Sequence, residues 1–311
     1  MGTTFSVTVV GEFMSNQVKA ELEVSIKDRL DKLDAMMSTY KPDSEVSRFN
    51  DWESSDWFGV SPDTAQVFQH AREVSEVTGG AFDVTVAPLV DVWGFGPVGP
   101  LHTLPSDSDI NRLLGAVDFR QIEVNDVSTA LRKTSIHVKT DVSAVAKGYA
   151  VDRVAEKLSS LGCKDYLVDI GGESFAKGQN QAGTPWKIGI EVPSPKRRGI
   201  QRVLALSDLA IATSGDYRNF RETAVGRVSH VMDPRTKLPV TSNIVSATVL
   251  HRSAMMADAY ATSMMVLGYE DGMKLAEAQS FPVYLLLEES GGRLEERYND
   301  QMIEYLELDN D

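Results

Sequence analysis

The chain has 311 residues, 42% hydrophobic and 24% charged, the make-up of a globular protein with a sizeable core. Its formal net charge of −14 offers no basic surface to neutralise phosphates, so no nucleic-acid partner is expected. Cys163 is the only cysteine, which excludes disulfides, CxxC redox chemistry and cysteine-based zinc sites.

The opening "MGTTFSVTVV" is already a strand pattern, and a strand is predicted over residues 3–10. No signal peptide precedes it, so a leader is expected to be missing from this sequence. Apolar spacing near 3.6 predicts a helix over 16–37. "TYKPDSEVSRFN" carries turn chemistry and is expected as a loop. "SPDTAQVFQHAREVSEVTGG" has the Ser-Pro start and Gly-Gly stop of another helix. Residues 92–109, rich in Gly, Pro and Ser, are expected as an irregular excursion, and "PKRRG" at 195–199 as a solvated loop. "DVSAVAKGYAVDRVAEKL", from Asp141 to Leu158, is an amphipathic helix, and "YLVDIGG" is a strand running into a glycine turn. "WKIGIEV", "RVLALSDLAIAT", "SHVMD", "IVSATVLH" and "PVYLLLEE" are further strands. "SAMMADAYATSMMVLG" is a helix closed by Gly268, and the acidic tail from Glu288, residues 288–311, is expected to be peripheral. Strands and helices mix without a regular βαβ alternation. That predicts an α+β fold with mixed, largely antiparallel sheets and packed helices in one domain over 1–311. No apolar run approaches the roughly 18 residues of a membrane span.

"GFGPVG" at 94–99 matches the GxGxxG letters, but Pro97 and Pro100 forbid the helix that such a fingerprint must open. No GxSxG, HExxH or GxxxxGK[ST] occurs. The five histidines are scattered, none paired at metal-ligand spacing. His230 stands out because "SHVMDPRT" runs from a strand into an Asp-Pro turn, where side chains are exposed for chemistry. Asp258 and Thr262 lie four apart on one helical face and offer two hard oxygens suited to Mg²⁺. The plain alternative is a helix-start aspartate and a threonine bonded back to the carbonyl of residue 258. Asp83 sits among apolar residues after a Gly pair, and its carboxylate needs a partner: a ligand donor, a metal-bound water or a backbone amide.

The stretch from Asp141 raises a sharper question. A glycine inside a helix costs about 1 kcal/mol against alanine, yet Gly148 follows Lys147 within the first turns. A helix start favours a phosphate, Lys147 would add a full charge, and Gly148 would allow something close to the backbone. A capped helix with a solvated lysine accounts for the same residues.

In order along the chain, "MGTTFSV", "MSTYKPDSEVSRFN", "GGAFDVTVAPLVDVWGFG", "DVSAVAKGYAVD", "VDIGGE", "ATSGDY", "SHVMDPRT" and "ADAYATSMMVLG" closely resemble the ApbE family of FAD:protein FMN transferases. The resemblance runs from residue 1 to about 290; Lys237 in "TKLPV" departs from it, since many relatives carry glycine there. It implies an ApbE-type, T-fold-like architecture with room for two lobes and the FAD site between them. The implied reaction is Mg²⁺-dependent transfer of FMN from FAD to a threonine or serine hydroxyl, with release of AMP. The implied acceptors are flavin-carrying subunits of membrane redox pumps, of the sodium-translocating NADH:quinone reductase or Rnf type. The Ala144 carbonyl, Asp258 and Thr262 would hold the metal. Met1, Tyr40, Ala81, Phe82, Asp83, Asp141, Lys147 and the Met232 backbone would line the FAD site, and His230 would be the reactive base. A periplasmic, lipid-anchored location is implied as well. Two other activities fit the same residues: a Mg²⁺-dependent FAD pyrophosphatase giving FMN and AMP, and a non-catalytic module that binds or delivers FAD.

Overall fold

The computed structural model describes residues 2–11, 15–96, 99, 104–113, 115–125, 127–194, 199–216, 220–223 and 226–307. Met1, the prolines of the glycine-rich run and Lys196–Arg198 of the expected basic loop lie outside them. The chain opens with strand β1 (Phe5–Val10) and helix α1 (Asn16–Met37). The expected loop at 39–50 instead contains helix α2 (Glu45–Asn50), because the Ser44 hydroxyl accepts from the Ser47 amide and caps it. Strand β2 (Phe58–Gly59) and helix α3 (Pro62–Val77) follow, the latter capped by Ser61. Helices α4 (Ala87–Val92) and α5 (Asp107–Asn111) bring order to both ends of the expected irregular excursion. Strands β3 (Ile122–Asn125) and β4 (Ala130–Lys133) precede helix α6 (Ser143–Ser160).

Strands β5 (Asp165–Ile170) and β6 (Glu173–Lys177) form a hairpin, then come β7 (Trp186–Glu191), β8 (Ile200–Leu206) and β9 (Leu209–Gly215). "RVLALSDLAIAT" is thus two strands, turned at Asp208 with φ +57°. Strands β10 (Phe220–Thr223), β11 (Gly226–Ser229), β12 (Met232–Asp233) and β13 (Leu238–Pro239) are short, and the expected strand "SHVMD" is broken by a bend at His230. Strand β14 (Ile244–His251) leads into helix α7 (Ala254–Gln279). Gly268 does not close this helix: it takes φ 77° and ψ −177°, and the chain resumes helical form beyond the kink. Strands β15 (Val283–Glu288) and β16 (Leu294–Tyr298) end the sheet.

The chain divides into two compact units. Unit 1 holds Met1–Asp31, Lys147–Arg218 and Ser242–Asp311. Its main sheet has seven strands in the order β1-β5-β6-β9-β14-β15-β16, with every neighbouring pair antiparallel. Strand β14 is buried along nearly its whole length, which is why it reads as an apolar run rather than an alternation. Helix α7 packs on β9 and β14. Trp186, Ile190, Leu204, Leu206 and Met302 form a core with Tyr284 and Leu286. β16 and buried Met302 therefore tie residues 289–307 into the fold; this stretch is not a peripheral tail.

Unit 2 holds Lys32–Ala146 and Asn219–Thr241. It contains a three-stranded sheet, β2-β4-β3, and a ring cluster in which Phe49 meets Phe58 and Phe68. Leu89, Val117 and Met232 form a second buried cluster. The overall class is α+β, as expected.

Candidate functional site

In unit 1 the part of α6 from Lys147 on packs against the start of α7. A Cβ added at Gly148 would stand 2.2 Å from the Ala254 carbonyl oxygen and 2.7 Å from the Met255 Cα. The glycine therefore admits another backbone, that of α7, and this replaces the expectation of a close ligand. One turn on, Asp152 reaches over to α7: it accepts from the Ser253 hydroxyl at 2.6 Å and from the amides of Ala254 and Met255 at 2.7 and 3.1 Å. A carboxylate from one helix thus caps the next, where the free amides and the positive dipole end both favour it.

This packing sets a polar cluster. Asp258, 2% exposed, accepts from the Gly148 amide through Oδ2 at 3.1 Å. Lys147 Nζ lies 2.7 Å from Glu173 Oε1 and 3.5 Å from Asp258 Oδ1. The Thr262 and Ser214 hydroxyls share a hydrogen bond of 3.0 Å. Lys147 is therefore ion-paired, with its side chain still 32% exposed, and Thr262 is not accounted for by back-bonding alone. Burial opposes its charge, but the carboxylates of Asp258 and Glu173 together outweigh that and hold the Lys147 pKa above the ordinary lysine value. Burial first, then the Asp258 charge, pushes the Glu173 carboxyl above its ordinary value, while the adjoining Lys147 ammonium favours its ionised form. Glu173 Oε2 is buried with no hydrogen-bond partner among the described residues.

In unit 2, Tyr40 and Asp141 line one cavity of about 290 Å³ together with Asn50, Asp91 and Lys139. Tyr40 is 72% exposed. Asn50 fixes the cavity wall by bonding Thr140 three ways, through its amide, hydroxyl and carbonyl. Asp141 accepts from the Ser143 amide at 2.8 Å and its own amide donates to Val84 at 2.7 Å. Ala144 stands in the first turn of α6. Ala81 and Phe82 are buried. Asp83 has both oxygens taken by protein donors: Oδ1 by the Thr85 amide and hydroxyl, Oδ2 by the Phe119 amide. Burial raises its pKa despite those bonds. Of the partners open to Asp83, a backbone amide is the one present. His230 is half-buried, its ring edge-on to Phe95 at 6.3 Å. Met232 buries its side chain and pairs through its backbone with Pro239. Met1, the remaining expected FAD residue, lies outside the described residues.

A model of the ApbE family matches residues 1–285. The chain belongs to the ApbE family. A Vibrio cholerae protein named FAD:protein FMN transferase is 42% identical over 294 residues, 94% of this chain and 86% of that protein. One of the same name from Escherichia coli strain K12 is 36% identical, over 93% of this chain and 82% of that protein. The solved structure titled flavin transferase ApbE from Vibrio cholerae superposes with a TM-score of 0.88 at 38% identity, covering 98% of this chain and 96% of that one. A Pseudomonas stutzeri flavinyl transferase ApbE, in its apo form, gives 0.86 at 31%, covering 99% and 95%.

Two polar side chains of the cluster in this ApbE chain, Glu173 and Ser214, lie in the motifs "VDIGGE" and "ATSGDY" but carry no expected site role there. Glu173 follows the Gly171–Gly172 turn, whose φ values of +68° and +103° suit glycine. Ser214 precedes Gly215 at the end of β9. An acid placed directly after a two-glycine hairpin turn is the signal that could have found Glu173.

Proposed function

We propose that this chain, an enzyme of the flavin-transferase kind by its family and relatives, moves FMN from FAD to a threonine or serine hydroxyl of a target flavoprotein and releases AMP, with Mg²⁺ at Asp258 and Thr262. The observation that carries the metal assignment is the state of Asp258. It is buried, one oxygen is anchored by an amide, and the other has, among the described residues, only a 3.5 Å approach from Lys147. A buried carboxylate oxygen so loosely covered is costly unless a cation completes it. The neighbouring Thr262 and Ser214 hydroxyls add hard oxygens, and no group of three or more His, Cys, Asp or Glu among the described residues offers a competing site. These donors fit Mg²⁺. The family resemblance adds the Ala144 carbonyl. Bound there, Mg²⁺ would neutralise charge on the phosphate oxygens.

The chain's own residues do the rest. Lys147, its pKa held above the ordinary value, presents a charged ammonium to the dinucleotide. The cavity lined by Tyr40 and Asp141 offers an exposed ring for stacking and a carboxylate for a ligand N–H or hydroxyl. His230 takes the proton of the acceptor hydroxyl as its oxygen bonds the FMN phosphorus; the bond from that phosphorus to the AMP oxygen breaks, and AMP leaves with the electron pair. The acceptors would be flavin-carrying subunits of membrane redox pumps, met in the periplasm by a lipid-anchored enzyme.

The test is to incubate the protein with FAD, Mg²⁺ and a threonine-bearing acceptor domain and to weigh the acceptor. A gain of one FMN supports the proposal. FMN and AMP formed equally fast without acceptor would make it a pyrophosphatase, and intact FAD would make it a binding module.

A further inference from the structure

We propose that Glu173 is a positioning residue that holds the Lys147 ammonium away from Asp258 Oδ1 and so keeps that oxygen available to a divalent cation. This rests on the assignment of a metal to Asp258.

The geometry is asymmetric. Lys147 Nζ is at a charge-assisted hydrogen-bond distance from Glu173, 2.7 Å, but at 3.5 Å from Asp258. A flexible lysine stem can swing between two acceptors, so the nearer carboxylate decides where the ammonium rests. Glu173 itself cannot drift. It is 3% exposed and is the first residue of β6, paired with Ile170 across the Gly171–Gly172 turn. On the other side, the Gly148 amide fixes Asp258 through Oδ2 and leaves Oδ1 as the face that either cation can take. Without Glu173, Lys147 would close on Asp258 and compete with the metal for it. Lys147 and the metal can then be held side by side only because a second carboxylate carries the ammonium.

The test is a thermodynamic cycle on Mn²⁺ binding to the full chain, followed by electron paramagnetic resonance of the free ion, with Mn²⁺ standing in for Mg²⁺ as another hard divalent ion. Glu173→Leu should weaken Mn²⁺ binding about tenfold or more, the usual cost of losing a partner behind a metal ligand. In a Lys147→Met background the same change should cost nothing, because no ammonium remains to compete. An unchanged affinity in Glu173→Leu overturns the proposal. So does an equal loss in the Lys147→Met background, which would make Glu173 a ligand or a structural support. If circular dichroism shows Glu173→Leu unfolded, Glu173→Gln is run through the same cycle, and a loss independent of Lys147 again overturns it. Wild-type protein that binds no Mn²⁺ sinks the metal assignment and this inference with it, whereas wild-type binding with an indifferent Glu173 sinks this inference alone.

Discussion

The Gly148 amide donates to Asp258 at 3.1 Å, joining α6 to α7 across 110 residues of sequence. In a regular helix that amide would serve the carbonyl of residue 144. Here it also fixes a carboxylate, and the helix can lie close enough to do so only because residue 148 has no side chain.

Gly148→Ala should therefore be harmful although alanine is the better helix former. The added carbon would meet the backbone of Ala254 and Met255 at 2.2–2.7 Å, and backbone cannot step aside. A loss of about 1–3 kcal/mol is expected from such overpacking, together with weaker metal binding as Asp258 shifts. Chemical denaturation measures the first; equal stability of the two proteins would refute the packing argument.

Asp258→Asn should abolish FMN transfer at ordinary Mg²⁺ concentrations while keeping the bond from Gly148. Asp258→Ala should also lose transfer, but it removes the bond that ties α6 to α7. The isosteric change is thus the cleaner test. Transfer rate against Mg²⁺ concentration checks it, and normal activity of Asp258→Asn at low Mg²⁺ would remove the metal from this residue.

His230→Asn should bind FAD and metal and lose most transfer. The ring contact with Phe95 disappears as well, so a melting curve must accompany the rate. A single-turnover rate equal to wild type would show that another group takes the proton.

His251 predicts a pH dependence of stability. Burial first, together with the Ser253 amide donating to the Nδ1 lone pair of the neutral ring, holds its pKa below the ordinary 6.5. The unfolded chain then binds a proton that the folded chain refuses, so stability falls as pH drops below about 6.5 and is restored as pH rises through it. His251→Gln should flatten the melting temperature between pH 5 and about 7 relative to wild type. An identical slope in both proteins would assign the effect elsewhere.

Strands β1, β5, β14 and β15 and helices α1 and α6 were legible because their signals are local: apolar period, caps and glycine turns; β6 and β16 were not expected as strands. α1 matches its expected bounds at Asn16–Met37, and β14 and β15 lie where their apolar runs put them. Helix α2 was hidden because six residues are too few for a periodic signal and its cap lies inside turn-like sequence. Gly268 reads as a stop, yet local chemistry cannot say whether a helix restarts after a kink. At the site, the oxygens of Asp258 and Thr262 are visible as one helical face. Glu173 is not, because its meeting with Lys147 is made by a hairpin and a helix that only the fold brings together. The purpose of Gly148 was open for the same reason: close approach is predictable from a glycine, but what approaches is not.

The clasp of Asp152 on the first amides of α7 has a consequence for how unit 1 opens. The amides of Ala254 and Met255 find their acceptor on a different helix, so the start of α7 is incomplete until α6 is docked. Two segments a hundred residues apart then share one opening event. In native-state hydrogen exchange their protons should be released together, at one denaturant dependence, as a single cooperative element rather than as two helices fraying alone.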